Sequence, residues 1–227
     1  MAAVAAASRA DELVALRDSV SNCTACRLAA TRTQVVFGSG DPAAELMFVG
    51  EAPGFHEDQQ GVPFVGAAGK LLEKLLGEIG LARNDVFIGN VLKCRPPGNR
   101  DPLADEIEAC QHHLFRQIEL IQPRVVATLG NFATKLLSGS PAGITRVHGR
   151  EQSVCLGQSQ VLLFPIYHPA AALYTQAMLG VLEEDFRRLP ELLGREPAPV
   201  GSVEGAAAEV AAAEPIPSEP ATQLGLF

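Results

Sequence analysis

Residues 50–69 read GEAPGFHEDQQGVPFVGAAG, and the interpretation of the rest of the chain starts from this stretch. It follows an apolar run, Leu46 to Val49, and precedes leucines at helical spacing that end near Ile79, so it connects a buried strand to a helix. Open α/β sheets bind ligands at such connections, because the loops at the carboxyl ends of parallel strands converge on one crevice. Five glycines, three carboxylates, one histidine and two aromatic rings in twenty residues predict a functional loop rather than a plain connector.

The rest of the chain alternates apolar runs with helical patterns. Beyond the first strand, runs typical of strands occupy residues 86–91, 124–130 and 161–169. Helical patterns occupy residues 11–20, 70–79, 103–121, 131–137 and 181–193. Such alternation predicts a three-layer α/β/α sandwich around a central, mostly parallel four-stranded sheet.

Composition limits the location and the partners of the chain. Among its 227 residues no run of eighteen apolar residues occurs, and the alanine-rich start lacks a basic leader, so we expect no membrane span and a cytoplasmic protein. The net charge is -8, but five glutamates lie in the tail, and the remaining chain carries 18 basic and 21 acidic residues. A local basic patch on such a body can still bind DNA.

Five cysteines are present, and in a cytoplasmic chain they are not expected to form disulfides. Cys23 and Cys26 form a C-x2-C pair, and fifteen residues separate Cys94 from Cys110. Four thiolates can hold zinc or an iron-sulfur cluster, and spacing alone does not choose between them. The alternative is that Cys94 and Cys110 are small buried core residues. Cys155 has no nearby partner in the sequence and is predicted to lie in the core.

Several motifs in this order resemble the family 4 uracil-DNA glycosylases, the iron-sulfur branch of that superfamily. The resemblance covers roughly residues 23–193 and includes the cysteine spacing. It also rests on GEAPGFHED, GVPFVGAAG, GNVLKCRPPGNRDP, RVHG at Arg146 to Gly149, and His168-Pro169. It implies a monofunctional glycosylase that flips uracil out of DNA and leaves an abasic site during base excision repair. It also implies a [4Fe-4S] cluster on Cys23, Cys26, Cys94 and Cys110.

With this resemblance, three side chains match the needs of uracil excision. Phe64, held between a rigid proline and a small glycine, is expected to present an exposed ring for stacking. Asn90 offers an acceptor and donors that can meet uracil N3-H and O4 together. His168 can donate to uracil O2 as negative charge develops on the departing base. Each has a purely structural alternative: Phe64 can be a core residue, Asn90 can cap a turn, and His168 can be a structural histidine before proline.

The group that activates water is less clear from the sequence. Other branches of the superfamily carry an aspartate where this chain has Ala52. We therefore predict Glu51 as the first choice for positioning water, and Glu57 as the second, with exclusion of the thymine methyl group as its other role. The backbone at Glu51, Ala52 and Pro53 is expected to line the uracil pocket. Two further polar residues are expected on the loop surface: His56 and Asp58.

For phosphate contacts we expect four basic side chains, each of which can equally be a solvated charge: Arg95, Arg100, Arg146 and Arg150. We rank Arg100 first, because it follows a turn at the rim of the site. Leu173 can act as an apolar wedge in the base stack, or simply begin an ordinary helix. After His168-Pro169 the family commonly continues with an aromatic residue, leucines and an arginine, whereas residues 170–174 read AAALY.

The three parts predicted for the chain are a disordered segment 1–9, a glycosylase domain 10–195 and a disordered acidic tail 196–227. The tail ends in QLGLF, which resembles the bacterial sliding-clamp binding motif, although chance can also produce so short a motif. The residues that would dock into the clamp are Gln223, Leu224, Leu226 and Phe227. The motif suggests a bacterial source. We also expect a monomer that works at the nucleoid on uracil in single- or double-stranded DNA.

Two other classes of protein compete with the glycosylase. One is a non-catalytic DNA-damage binder or a variant that bonds covalently to the abasic sugar through a loop histidine; residues 95–101 contain no histidine. The other is a purely redox iron-sulfur protein, which would leave Phe64, Asn90 and His168 unexplained.

Overall fold

The computed structural model describes residues 2–197, with side chains from Ser8 onward, so the QLGLF motif lies outside the described residues. The helices are α1 Ala2–Val20, α2 Phe55–Gln60, α3 Ala67–Glu78, α4 Ala104–Ile121, α5 Asn131–Ser138, α6 Ile144–Val147, α7 Pro169–Ala172 and α8 Gln176–Leu193. The strands are β1 Ser39–Gly40, β2 Leu46–Gly50, β3 Phe87–Asn90, β4 Val125–Leu129, β5 Gln152–Leu156 and β6 Ser159–Ile166. Within residues 2–197, no helix combines the length and apolar character needed to cross a membrane.

One sheet connects all six strands in the order β1-β3-β2-β4-β6-β5. The four predicted strands, β2, β3, β4 and β6, are parallel, as expected. The predicted count of four is wrong, because β1 and β5 add antiparallel edges beside β3 and β6. Neither edge has a long apolar run: β1 has two residues, and β5 has no fully buried residue before Leu156. Their pairing depends on the neighbouring strand, which a local pattern does not show.

Helices cover both faces of the sheet, which confirms the three-layer sandwich. Side chains alternate along β2, so that Met47 and Val49 face one core and Leu46 and Phe48 face the other. The first core holds residues of α1, α4 and α5, and the second holds residues of α3 and α8. On the second side, the rings of Phe48 and Phe186 stack with centroids 5.6 Å apart.

The first helix, α1, already begins at Ala2. The predicted division into a segment 1–9, a domain 10–195 and a tail stays a prediction. Alanine has the highest helix propensity, so the run before Ser8 extends the helix that Leu13 and Val20 anchor in the core. Nε of Arg9 also donates to the carbonyl of Leu120 at 3.2 Å, which joins α1 to α4.

Candidate active site

The carboxyl ends of three parallel strands bring the predicted uracil-binding residues together. Gly50 pairs with Asn90 across β2 and β3. A Cβ atom at Gly50 would clash with Oδ1 of Asn90 and lie 2.8 Å from Cζ of Phe64, so this position requires glycine. The rings of Phe64 and His168 stack with centroids 5.6 Å apart. Phe64, Asn90 and His168 therefore meet at one site, although they are far apart in sequence.

The backbone around Phe64 is held in a strained conformation. Phe64 has a φ of +52°, a left-handed value that is uncommon for an aromatic residue. Arg83 stabilises it, because Nη1 donates to the carbonyl of Phe64 at 2.9 Å and Nη2 donates to the carbonyl of Pro63. Gly69 leaves room for the same carbonyl, which a Cβ atom would overlap. The expectation of an exposed ring is wrong: the residue is only 6% exposed, because the ring packs in the core against His168.

Asn90 is 2% exposed, and its Oδ1 has no hydrogen-bond partner among the described residues. A buried unpaired acceptor destabilises the fold by about 1–3 kcal/mol, and a ligand that donates a hydrogen bond to this oxygen would explain why it is buried there. The backbone beneath it is fixed: Nζ of Lys93 donates to the carbonyl of Asn90 at 2.8 Å and to Oε1 of Gln117 at 2.6 Å. Burial lowers the pKa of Lys93 to about 8. The side chain of Asn90 is thus presented on a rigid strand end with its acceptor free.

His168 caps the short helix α7 and keeps one ring nitrogen for other use. Its Nδ1 accepts a hydrogen bond from the backbone N–H of Ala170 at 3.1 Å. Burial lowers the pKa of His168 to about 4, so the imidazole is neutral at physiological pH. In a neutral imidazole whose Nδ1 is the acceptor, the proton lies on Nε2. His168 can therefore donate one hydrogen bond from Nε2 to a substrate oxygen.

Glu51 follows β2 directly, and its carboxyl group is partly buried. Burial, together with the smaller effect of the negative charge of Asp101, raises the pKa of Glu51 to about 7. The carbonyl of Glu51 accepts from the backbone N–H of Leu92 at 3.0 Å, which continues the β2–β3 pairing past the end of the strands. Near neutral pH the carboxylate is close to half ionised and suited to accept a proton from water.

Glu57 has its carboxylate oxygens engaged by the loop itself. Oε1 accepts from the backbone N–H groups of Val65 and Gly66, both at 2.9 Å, and Oε2 accepts from the N–H of Gly54 at 3.1 Å. These bonds join the two ends of the loop around Phe64. Asp58, expected on the surface, is 2% exposed and accepts from the N–H of Thr33 at 2.9 Å. Of the two residues predicted on the loop surface, only His56 is exposed.

The four cysteines predicted as ligands, Cys23, Cys26, Cys94 and Cys110, line one cavity between α1, α4 and the segment after β3. Nη1 of Arg32 donates to Sγ of Cys94 at 3.5 Å, and the N–H of Lys93 donates to Sγ of Cys110 at 3.3 Å. Burial raises the pKa of the Cys94 thiol to about 11 and raises that of Cys110.

No group of three or more histidine, cysteine, aspartate or glutamate side chains within residues 2–197 is placed to hold a single metal ion. Four thiols around a shared cavity, with N–H donors aimed at two of the sulfurs, nevertheless fit a thiolate-held cluster that fills the space between them. Cys155 is exposed on β5, so the prediction that it lies in the core is wrong. It lies on β5, an edge strand that pairs with β6 on one side only.

The residues predicted to contact DNA differ in whether a carboxylate neutralises their charge. Nη2 of Arg100 lies 2.6 Å from Oε1 of Glu106, and Nη1 lies 2.9 Å from Oε2, so a buried carboxylate neutralises this arginine. Arg146, in the last turn of α6, is exposed. Leu173 directly follows α7 and is 38% exposed. The contacts of these residues with DNA remain predictions.

Comparisons with known proteins agree with this geometry. The family model described as the uracil DNA glycosylase superfamily matches residues 37–189. The type-4 uracil-DNA glycosylase of Sulfurisphaera tokodaii is 49% identical over 187 residues, which are 80% of this chain and 85% of the relative. The chain belongs to the type-4 uracil-DNA glycosylases. The type-4 enzymes of Saccharolobus solfataricus and Archaeoglobus fulgidus are 48% and 46% identical, over 82% and 78% of this chain and 89% and 91% of theirs.

Three residues of this type-4 uracil-DNA glycosylase that hold the backbone of Phe64 and Asn90 were not predicted from the sequence: Arg83, Lys93 and Gln117. Arg83 looks like an ordinary turn cation in LARNDV, and Gln117 looks like a polar position of α4. The only signal was Lys93, a charge in the otherwise apolar run Val91-Leu92-Lys93-Cys94. A lysine within such a run is expected to be buried and paired.

Proposed function

We propose that the chain is a monofunctional uracil-DNA glycosylase of base excision repair, working in the cytoplasm at bacterial DNA. It flips uracil out of DNA and hydrolyses the N-glycosidic bond, which leaves an abasic site. The observation that carries the proposal is the buried, unpaired Oδ1 of Asn90 beside the stacked rings of Phe64 and His168. No observation favours the non-catalytic or covalently trapping alternatives.

Recognition begins with extrusion of the base, which costs a few kcal/mol and is easiest in a mismatch or a single strand. In the pocket, Phe64 supplies an aromatic surface for stacking. Oδ1 of Asn90 accepts from uracil N3-H, and the amide N–H of Asn90 donates to O4. Cytosine presents an acceptor at N3 and donors at N4, so it would leave buried groups unpaired, and such mismatches discriminate strongly.

Bond cleavage requires stabilisation of charge on both fragments. As the N-glycosidic bond breaks, negative charge grows on the uracil, and Nε2–H of His168 donates to O2 where that charge develops. The sugar becomes cationic, and Glu51 orients the attacking water and takes up its proton. We assign this role to Glu51 rather than Glu57, because the oxygens of Glu57 already accept three loop N–H groups. Glu57 instead keeps Phe64 in place.

The direct test uses single-stranded and duplex oligonucleotides that carry one uracil, followed by alkali. We expect strand breaks at the uracil position and none in matched oligonucleotides with thymine or cytosine. Binding without any strand break would contradict the enzyme proposal. An adduct that survives denaturant would favour the covalent variant.

Replacing Glu51 with Gln is expected to lower kcat by about 100-fold or more, because the general base is lost. In the wild type, kcat/KM should rise with pH through about 7, since the ionised fraction of Glu51 increases there. This rising limb of the pH profile should be absent from Glu51→Gln. Glu57→Ala is the comparison variant, which should have a lower melting temperature and keep the rising limb. A limb that persists in Glu51→Gln and disappears in Glu57→Ala would reverse the assignment.

We further propose that Cys23, Cys26, Cys94 and Cys110 hold a [4Fe-4S] cluster. The cluster would crosslink the segment after α1, the segment after β3, and α4, and it would support the loop without entering the chemistry. Cys94→Ser should lose bound iron, acid-labile sulfide and visible colour, and should unfold at a lower temperature. Cys155→Ser, outside the cavity, should keep all of them. If the wild-type protein is colourless and binds zinc, iron-sulfur ligation is refuted.

The last proposal concerns Gln223, Leu224, Leu226 and Phe227, which would dock into an apolar pocket of the bacterial sliding clamp. A short segment with apolar anchors can bind as a tethered peptide ligand. Deleting residues 223–227 should abolish clamp binding in a pull-down and leave uracil excision from short DNA unchanged. Loss of excision in the truncated protein would indicate another role for the segment.

A further inference from the structure

We propose that Phe55 and Arg95 form a second base-stacking site, outside the uracil pocket, which takes the DNA base next to the extruded uracil. The inference rests on the proposed glycosylase function and adds a contact that this function does not require. Phe55 is the first residue of α2 and follows Gly54 in the loop that also carries Glu51 and Phe64. Arg95 lies five residues after Asn90, beyond the neighbouring strand end. Both therefore belong to segments that build the uracil pocket.

The ring of Phe55 lies on the protein surface. It is 51% exposed and belongs to neither core cluster, whereas Phe64 in the same loop is 6% exposed. Its polar surroundings do not shield it: the ring of His56 meets it edge-on with centroids 5.5 Å apart, and His56 is itself exposed. A large aromatic ring beside a ligand pocket is typical of a surface that stacks on a base.

Arg95 supplies the charge that a DNA strand needs. Its guanidinium carbon lies 5.1 Å from the centroid of the Phe55 ring, and its Nε donates to Oδ1 of Asn99 at 2.6 Å. Within residues 2–197 no carboxylate forms an ion pair with Arg95, in contrast to Arg100, which Glu106 neutralises. The guanidinium keeps its positive charge for a phosphate, while the ring beside it offers a π face.

The combination fits a nucleotide better than a protein partner. Proteins that bind single-stranded nucleic acid combine aromatic rings, on which successive bases stack, with arginine cations that neutralise the backbone. When uracil leaves the helix, its neighbour loses a stacking partner, and the Phe55 ring can replace it. The contact should matter most for single-stranded substrates, where no opposite strand holds that neighbour in place.

Fluorescence tests the contact directly, because the chain contains no tryptophan. Phe55→Trp introduces one reporter, and a single-stranded oligonucleotide with a stable abasic analogue at the uracil position permits binding without chemistry. We expect its emission to be quenched when DNA binds, since the indole stacks on a base. Val14→Trp is the matched control, as Val14 is 47% exposed on α1, and its emission should not change. Unchanged emission from Phe55→Trp with DNA fully bound would overturn the proposal.

Kinetics supply the second test. Phe55→Ala should raise KM for a single-stranded uracil substrate by about tenfold and leave kcat unchanged, whereas Phe55→Tyr should behave like the wild type. The increase should disappear when the neighbouring nucleotide on one side of the uracil carries no base. An equal increase with and without that base would mean that Phe55 only supports the loop. Uracil excision by the wild type tests the glycosylase proposal separately. Failure of the stacking proposal is therefore distinguishable from failure of the glycosylase proposal.

Discussion

An Asn90→Leu variant is expected to lose at least about 1000-fold in kcat/KM for uracil excision. Leucine has a similar size but cannot accept from N3-H or donate to O4, and a site that leaves buried polar groups of its ligand unpaired is penalised strongly. The fold should not suffer. In the free protein Oδ1 of Asn90 has no partner within residues 2–197, so its removal should leave the free energy of unfolding unchanged or raise it by about 1 kcal/mol.

Two measurements check this prediction: single-turnover excision and a denaturant melt. The backbone of Asn90 keeps its bond from Lys93, so the strand end should stay in place in the variant. Asn84→Leu, at an exposed position before β3, is the matched control and should retain activity. A loss of activity that parallels a loss of stability would show that Asn90 is structural.

A His168→Phe variant is expected to lower kcat by about 100- to 1000-fold, the usual cost of removing one donor to a developing oxyanion. Phenylalanine keeps the aromatic contact with Phe64 but has no N–H. His168→Gln should recover part of the loss, because its amide can still donate. The exposed His112→Phe serves as the control for the loss of a histidine.

The pH profile separates His168 from Glu51. Burial holds the pKa of His168 near 4, so the imidazole stays neutral through the range in which Glu51 ionises. The limb of kcat/KM near pH 7 should therefore persist in His168→Gln. If this limb moves or disappears, His168 changes protonation during the free-enzyme titration, and the neutral-donor mechanism is wrong.

Most of the fold was predictable from local patterns. The four parallel strands are short apolar runs, and α3, α4 and α8 carry clear helical periodicity, so the local sequence is enough to predict each of these elements. The local sequence does not predict the edge strands β1 and β5, because they are stabilised by hydrogen bonds to β3 and β6 rather than by an apolar pattern.

By itself, the sequence determined the candidates for uracil recognition: Phe64, Asn90 and His168 follow three predicted strands and match what the family resemblance implies. Only the tertiary structure decided which of the nearby carboxylates are already engaged in hydrogen bonds. The sequence favours Glu51 over Glu57 only because Glu51 is the carboxylate next to Ala52. In the structure, the oxygens of Glu57 accept backbone N–H groups of the loop, and Glu51 is left partly buried with a raised pKa. Hydrogen bonding and desolvation depend on which atoms meet in space, and local sequence does not contain that information.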